Sequence, residues 1–185
     1  MDTSLNSAPR VMIFEDDETQ LAIYRQHCAS LGLRPITVLC GQSSDAFTDS
    51  LPYDQLNAAG IHDVISRRKP DLVLTDYDFG VQSAFVGTDV ARAIKQCSPS
   101  MPVILHSMNL NEDVYLGEAP DPYDDQRRES FRREAREAGA DFAIAKQTPI
   151  YTDNALVREQ TYRQALRKIG IDLPEKGAEQ GRGGK

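Results

Sequence analysis

The chain has 185 residues, of which 40% are hydrophobic and 26% charged, and its formal net charge is −7. This length fits one domain, and this composition is sufficient for a hydrophobic core. The acidic balance argues against general affinity for nucleic acid, which needs a basic footprint, so no direct nucleic-acid partner is expected.

Cysteine usage and the N-terminal segment indicate the compartment. Cys28, Cys40 and Cys97 are scattered without a C-x-x-C pair, which predicts neither a disulfide framework nor a zinc site. Residues 1–10 are polar and lack the apolar core of a signal peptide, and no run is long enough to cross a bilayer. We therefore expect a cytoplasmic protein that does not associate with membranes.

The first strand is predicted over Val11–Phe14, because its residues are apolar without alternation, as in a strand buried on both faces. A helix follows, capped by Asp17 and ended by Gly32. A second strand is predicted over Pro35–Leu39. The polar, turn-rich stretch 41–56 predicts a long surface loop.

The middle of the chain continues the alternation of helices and strands. The pattern predicts a helix over Asn57–Arg68 and a third strand over Leu72–Thr75. Thr88 is predicted to cap a helix over Asp89–Gln96, and a fourth strand covers Val103–Leu105.

The last part begins with a second long polar stretch, 108–121. The dipeptide Asp121-Pro122 is a strong helix start, and that helix is predicted to run to Ala138. A fifth strand is predicted over Phe142–Ala145, and a last helix over Asp153–Ile169.

This alternation predicts a parallel sheet with helices on both faces. We divide the chain into a flexible N-terminus over 1–9, one domain over 10–170, and a flexible tail over 171–185 that is rich in glycine and charge.

Four of the predicted strands end in residues that carry chemistry. The first runs into Glu15-Asp16-Asp17, the third into Asp76, the fourth into Ser107 and the fifth into Lys146. Ligands of an open parallel sheet bind beyond the carboxyl ends of its strands. An acidic cluster, a hydroxyl and a lysine at one edge suit a divalent cation and a phosphoryl group.

With these four landmarks in this order, the chain resembles the response-regulator receiver domain of bacterial two-component signalling. The resemblance covers roughly residues 9–169. It implies a flavodoxin-like, doubly wound, five-stranded parallel sheet in the order 2-1-3-4-5. It also implies that Asp76 accepts a phosphoryl group from a histidine kinase or a phosphotransfer protein.

The resemblance implies a role for each site residue. Glu15, Asp16, Asp76 and the backbone carbonyl of Asp78 would hold Mg²⁺, a cation that prefers oxygen ligands. Lys146 would contact one phosphoryl oxygen, and Ser107 would donate a hydrogen bond to another. Any enzymatic activity would be limited to self-phosphorylation from small phosphodonors and to autodephosphorylation.

The receiver is expected to be stand-alone, because few residues follow Ile169. Its output would then be contact with an unknown downstream protein. Separately, a homodimer is a possible assembly of the chain.

Departures from the family pattern make this receiver atypical. Gln147 follows Lys146, where the family usually has proline, and Asp78 adds a carboxylate two residues after the phosphoacceptor. The family's aromatic switch residue, three positions before the lysine, is replaced by Ala143. The adjacent Phe142 should point to the opposite face of the strand. The usual coupling between the hydroxyl and the aromatic residue therefore cannot operate.

Two other functions are open at this point. Asp76-Tyr77-Asp78 is a D-x-D motif after an apolar strand, as in haloacid-dehalogenase-like phosphatases. That superfamily expects its acidic pair after a later strand, whereas the acidic pair here lies upstream. Alternatively, the chain is a degenerate receiver that acts as a binding module without phosphorylation.

Two further features are interpreted structurally. Arg128, Arg132 and Arg136 share one stripe of a predicted helix with interleaved glutamates, which is typical of a solvated face with i,i+4 pairs. The stripe is also a possible contact for an acidic partner. His106 is interpreted as a core or rim histidine rather than a ligand.

Overall fold

The structure is a computed structural model that describes residues 8–41, 49–79, 83–107, 114–115, 126–145 and 155–173. Strands and helices alternate through these residues. The strands are β1 (Arg10–Glu15), β2 (Arg34–Gly41), β3 (Asp49–Pro52), β4 (Leu72–Asp76), β5 (Val103–Ser107), β6 (Val114–Tyr115) and β7 (Phe142–Ala145). The helices are α1 (Glu18–Ser30), α2 (Ala58–Arg68), α3 (Gly87–Cys97), α4 (Gln126–Glu137) and α5 (Ala155–Lys168).

The strands form one sheet in the order β3-β2-β1-β4-β5-β7-β6. All neighbouring pairs are parallel except β6 and β7, which are antiparallel. The five predicted strands are the central ones, and they keep the expected flavodoxin-like order among themselves. The predicted number of five is wrong, because the described residues alone form a sheet of seven strands, whose order differs accordingly.

Both added strands lie in the long polar stretches of the sequence, of which 41–56 was predicted as a surface loop. The 41–56 stretch contains β3, which pairs with β2, and the 108–121 stretch contains β6, which pairs with β7. Neither has the apolar run that signals a strand in sequence: β3 reads Asp-Ser-Leu-Pro and β6 has two residues. Pairing with an existing sheet edge compensates for the weak strand preference of β3 and for the shortness of β6.

Ion pairs with α2 anchor β3. The Asp49 side chain is 2% exposed, and its Oδ1 lies 3.3 Å from Nη1 of Arg67. Arg68 Nε lies 2.9 Å from Asp49 Oδ2, and Arg68 Nη2 donates a hydrogen bond to Oδ1 at 3.3 Å. Leu51 of the same strand is buried in the core. A polar sequence is thus held as an edge strand by tertiary contacts.

The sheet separates two layers of hydrophobic core. Met12 and Phe14 of β1 face the layer under α2, α3 and α4, whereas Val11 and Ile13 face the layer under α1 and α5. This alternation is the period of a strand covered on both faces. Helices on both faces were predicted, and the structure confirms them.

The predicted ends of α1 are confirmed. Asp17 Oδ1 accepts a hydrogen bond from the backbone N–H of Gln20 at 2.8 Å, which is the N-cap contact. Gly32 follows the helix with a φ of +81°, the left-handed conformation that favours glycine at this position.

Other helix starts differ from the prediction or lie outside the described residues. Helix α3 begins at Gly87 after Val86, so Thr88 is not its cap. The Asp89 carboxylate instead accepts from the Val86 N–H at 3.1 Å. The predicted starts at Asp121 and Asp153 lie outside the described residues, as does most of the two predicted flexible ends.

No helix within the described ranges combines the length and the apolar content that a membrane crossing requires.

Candidate functional site

Three carboxylates meet at the carboxyl edge of the sheet. Glu15 ends β1, Asp16 follows it, and Asp76 ends β4. Since β1 and β4 are parallel and Phe14 pairs with Thr75, Glu15 lies beside Asp76. Each of the three acids offers an oxygen that lies within 4.8 Å of the other two. The strand register therefore creates the acidic cluster that the sequence predicts.

Two of these acids are nearly inaccessible to solvent. Glu15 is 1% and Asp76 6% exposed, whereas Asp16 is half-buried. Glu15 Oε1 accepts from the backbone N–H groups of Asp16 at 3.2 Å and Asp17 at 3.4 Å. Asp76 Oδ1 accepts from the N–H of Tyr77 at 2.7 Å. Backbone hydrogen bonds thus orient both buried carboxylates.

The cluster fits Mg²⁺. This ion takes oxygen ligands at about 2.0–2.1 Å in octahedral geometry, so adjacent ligands are about 2.9 Å apart and opposite ones about 4.2 Å apart. The oxygens of Glu15, Asp16 and Asp76 lie within 4.8 Å of one another, so they can reach these spacings by moving inward around an ion. Like charges in a buried site repel each other, which a divalent cation would relieve.

The Cys40 thiol is not a candidate ligand. Burial, reinforced by the charges of Glu15, Asp16 and Asp76, raises the pKa of Cys40 well above its ordinary value. Without a bound ion the thiol therefore stays protonated at neutral pH, and Mg²⁺ prefers oxygen ligands to sulfur.

Ser107 lies at the same edge of the sheet. Asp76 of β4 pairs with His106 of β5, and Ser107 is the next residue. Ser107 is buried and pairs with Ala145 of β7, the residue before Lys146. Lys146 itself lies outside the described residues, so its role stays a prediction.

Asp78 follows β4 and is exposed. The proposed use of its backbone carbonyl as a metal ligand also stays a prediction.

The position at which the receiver domains that the sequence resembles have an aromatic switch residue holds a buried alanine. Ala143 is fully buried on β7 and faces the core layer under α2, α3 and α4. Phe142 faces the opposite layer, as predicted from the alternation of a strand. No aromatic ring therefore stands at this position, and Phe142 does not replace it.

A network around Tyr77 was missed by sequence reasoning. The Tyr77 hydroxyl donates to Glu134 Oε2 at 3.0 Å, and the hydroxyl of Thr88 donates to Glu134 Oε1 at 2.8 Å. The Tyr77 ring also packs against Phe131 with a centroid distance of 4.9 Å. Burial, and then the hydrogen bond to Glu134, raise the pKa of Tyr77 to about 12. The hydroxyl is therefore a proton donor at physiological pH.

Close backbone contact joins Tyr77 to the start of α3. The N–H of Gly87 donates to the Tyr77 carbonyl at 2.9 Å. A Cβ on Gly87 would lie 1.9 Å from the carbonyl oxygen of Asp76, so only glycine allows this approach. The segment that carries Asp76 is thus held against α3.

His106 is a core histidine, as predicted. It is 2% exposed, its Nε2 lies 2.5 Å from the Tyr162 hydroxyl, and the ring of Tyr24 is 4.5 Å away. The solvated face predicted for the arginine stripe is wrong at Arg132, which is 7% exposed on α4. The side chain of Arg128 lies outside the described residues.

Similar proteins were found among solved structures but not among protein families or curated proteins. No protein-family model matches the chain, and no curated protein does. A receiver domain of a sensor histidine kinase from Pseudomonas aeruginosa, solved with a magnesium ion coordinated in its active-site cleft, is similar. Its TM-score is 0.54 at 17% identity, and the match covers 88% of this chain and 98% of that one.

The chain has the fold of a response-regulator receiver domain. Two further structures share this receiver fold. The signal receiver domain of a histidine kinase from Syntrophus aciditrophicus has a TM-score of 0.53 at 20% identity, with 92% of this chain and 99% of that chain covered. A LuxR-family two-component response regulator from Aurantimonas has a TM-score of 0.56 at 16% identity, with 92% and 91% covered. At these identities the likeness is one of fold.

Proposed function

We propose that the chain is a receiver that accepts a phosphoryl group on Asp76 from a histidine kinase or a phosphotransfer protein. The reaction depends on Mg²⁺, and the output is contact with a downstream protein. The observation that carries this proposal is the cluster of Glu15, Asp16 and Asp76 at the carboxyl edge of a receiver-fold sheet. The compartment is the cytoplasm, consistent with three cysteines that are all thiols.

The transfer needs a carboxylate that can approach a negatively charged phosphoryl group. A carboxylate oxygen of Asp76 attacks the phosphorus of a phosphohistidine. The P–N bond breaks, its electron pair returns to the imidazole nitrogen, and that nitrogen takes a proton from solvent. Asp76 becomes an aspartyl phosphate.

Positioning and electrostatics supply most of the catalysis in phosphoryl transfer. Glu15, Asp16 and Asp76 would hold the ion, and Mg²⁺ when bound neutralises the charge that otherwise separates carboxylate and phosphoryl group. The Tyr77 N–H holds the Asp76 carboxylate in one orientation. Ser107 and Lys146 would donate to the transferred group from the ends of β5 and β7.

Neither alternative function is favoured by an observation. The carboxylates close to Asp76 come from β1, which precedes it in the chain, whereas a haloacid-dehalogenase-like phosphatase uses a later pair. A degenerate receiver would not need three acids gathered at this edge.

Incubation with acetyl phosphate and Mg²⁺ tests the proposal. Intact-mass spectrometry should show a gain of one phosphoryl group that is lost in Asp76→Asn and when a chelator replaces Mg²⁺. Asp63→Asn is the matched control, because Asp63 is 73% exposed on α2, and it should gain the group as the wild type does. An unmodified wild type, or equal modification of Asp76→Asn, would contradict the proposal.

A further inference from the structure

Tyr77, the residue that follows Asp76, contacts several elements that no sequence pattern connects to it. Tyr77 donates its backbone N–H to both Asp76 Oδ1 and the carbonyl of His106, at 2.7 and 2.8 Å. Its own carbonyl accepts from Gly87 at 2.9 Å. Its position therefore depends on the Asp76 carboxylate, on the end of β5 and on the start of α3.

The side chain of Tyr77 extends this connection to α4. Its hydroxyl is bonded to Glu134, and its ring contacts Phe131, one helical turn earlier on the same helix. A hydrogen bond to a carboxylate is charge-assisted and stronger than one between neutral groups. Tyr77 thus connects Asp76 to two consecutive turns of α4.

Glu134 has a second donor. Its Oε1 accepts from the Thr88 hydroxyl of α3 while Oε2 accepts from Tyr77. Thr88 is buried, so this second bond is sheltered from solvent. If Tyr77 moves, Glu134 keeps its hydrogen bond to Thr88. Helix α4 can therefore adopt one arrangement with the Tyr77 bond and another without it, and the Glu134 carboxylate has a donor in both.

We propose that Tyr77 and Glu134 couple phosphorylation of Asp76 to the arrangement of α4, in place of a relay through the buried Ala143. This inference rests on the proposed function. Phosphorylation converts the carboxylate that accepts the Tyr77 N–H into an acyl phosphate, whose carbonyl oxygen is a weaker acceptor. Tyr77 then shifts, its bond to Glu134 breaks, and Thr88 retains Glu134.

The test uses beryllofluoride with Mg²⁺ as the phosphoryl mimic and two independent readouts. Fluorine NMR reports whether the mimic is bound, and hydrogen–deuterium exchange of residues 126–137 reports the state of α4. Tyr77→Phe keeps the ring against Phe131 and removes only the hydroxyl. Tyr53→Phe, at a tyrosine that is 38% exposed, is the matched control.

In the wild type and in Tyr53→Phe, the mimic should raise exchange in α4. In Tyr77→Phe the mimic should still bind, but α4 exchange should be raised about tenfold before it is added and should then change little. Loss of a hydrogen bond to a charged group shifts the equilibrium between the closed and open states of α4 by about this factor or more. Glu134→Gln should give the same loss of response and serves if Tyr77→Phe folds poorly.

A bound mimic with the same α4 response in the wild type, Tyr77→Phe and Glu134→Gln would overturn the coupling and leave the proposed function intact. Absence of bound mimic in the wild type would overturn the proposed function, and the coupling with it.

Discussion

Glu15 and Asp76 are acids held almost out of solvent at the ends of adjacent strands, with half-buried Asp16 beside them. Burial disfavours a charged carboxylate, and two like charges nearby disfavour it further. A cluster of this kind is stable when a cation or strong hydrogen bonds compensate for the charge. Backbone N–H groups orient Glu15 and Asp76, and a divalent ion would compensate for the remaining charge.

At the scale of one residue, the raised pKa of Tyr77 predicts how the stability of the protein changes at alkaline pH. Its pKa is raised from 10.0 to about 12 in the folded protein, whereas the unfolded chain keeps the ordinary value. Between about pH 10 and 12 the unfolded state loses this proton first, so the folded state binds more protons. The stabilisation linked to Tyr77 is complete below about pH 10 and is lost as the pH rises to about 12.

Denaturant unfolding across this pH range measures the effect. The free energy of unfolding should fall less steeply with pH in Tyr77→Phe than in the wild type. Tyr53→Phe should follow the wild type. An equally steep fall in Tyr77→Phe would show that another group causes the pH dependence.

Strand β3 shows how tertiary contacts form an element that its own sequence does not favour. Asp49→Ala should lower the free energy of unfolding by about 1–3 kcal/mol, because a buried acceptor with charged partners is removed. Arg67 and Arg68 are 52% and 33% exposed, so their heads can reach water. The larger loss of a fully buried pair, about 3–5 kcal/mol, is therefore not expected.

Asp63→Ala is the matched control for Asp49. It removes an exposed partner of the same Arg67 on α2. Exposed ion pairs contribute little, and this change should stay within about 0.5 kcal/mol. Urea unfolding of both variants gives the comparison, and equal losses would contradict the anchoring role of Asp49.

The elements that could be predicted are those whose own residues carry the signal. The apolar runs before Glu15, Asp76, Ser107 and Lys146 predict buried strands, and their order predicts the acidic cluster. Strand β6 has only two residues, and its pairing with β7 depends on a sheet edge that no local pattern reveals.

Side-chain contacts away from the strand ends could not be predicted. Tyr77 and Glu134 are 57 positions apart, and Glu134 lies among interleaved charges that are typical of a solvated helix. Thr88 was predicted as a cap because threonine favours that position, but its hydroxyl bonds to Glu134 instead. Where a side chain has several possible partners, the tertiary fold determines which of them it contacts.

At the scale of the whole molecule, ion binding at one edge of the sheet should stabilise the entire domain. A ligand that binds only the folded state adds about 2.7 kcal/mol when its concentration is a hundred times its Kd. Mg²⁺ should therefore raise the free energy of unfolding of the wild type. Without Mg²⁺, Asp76→Asn should be more stable than the wild type, because it removes one of three clustered charges.

Denaturant unfolding with and without Mg²⁺ checks this prediction. The gain from Mg²⁺ should be smaller in Asp76→Asn and unchanged in Asp63→Asn. An equal gain in all three proteins would place the ion elsewhere.

The most direct measurement is a crystal structure of the protein with Mn²⁺ and beryllofluoride, in which anomalous scattering locates the metal. We predict one ion bound by carboxylate oxygens of Glu15, Asp16 and Asp76, with beryllium bonded to Asp76. A metal peak away from these three side chains, or beryllium bound elsewhere, would contradict a phosphoryl-accepting site at this edge of the sheet.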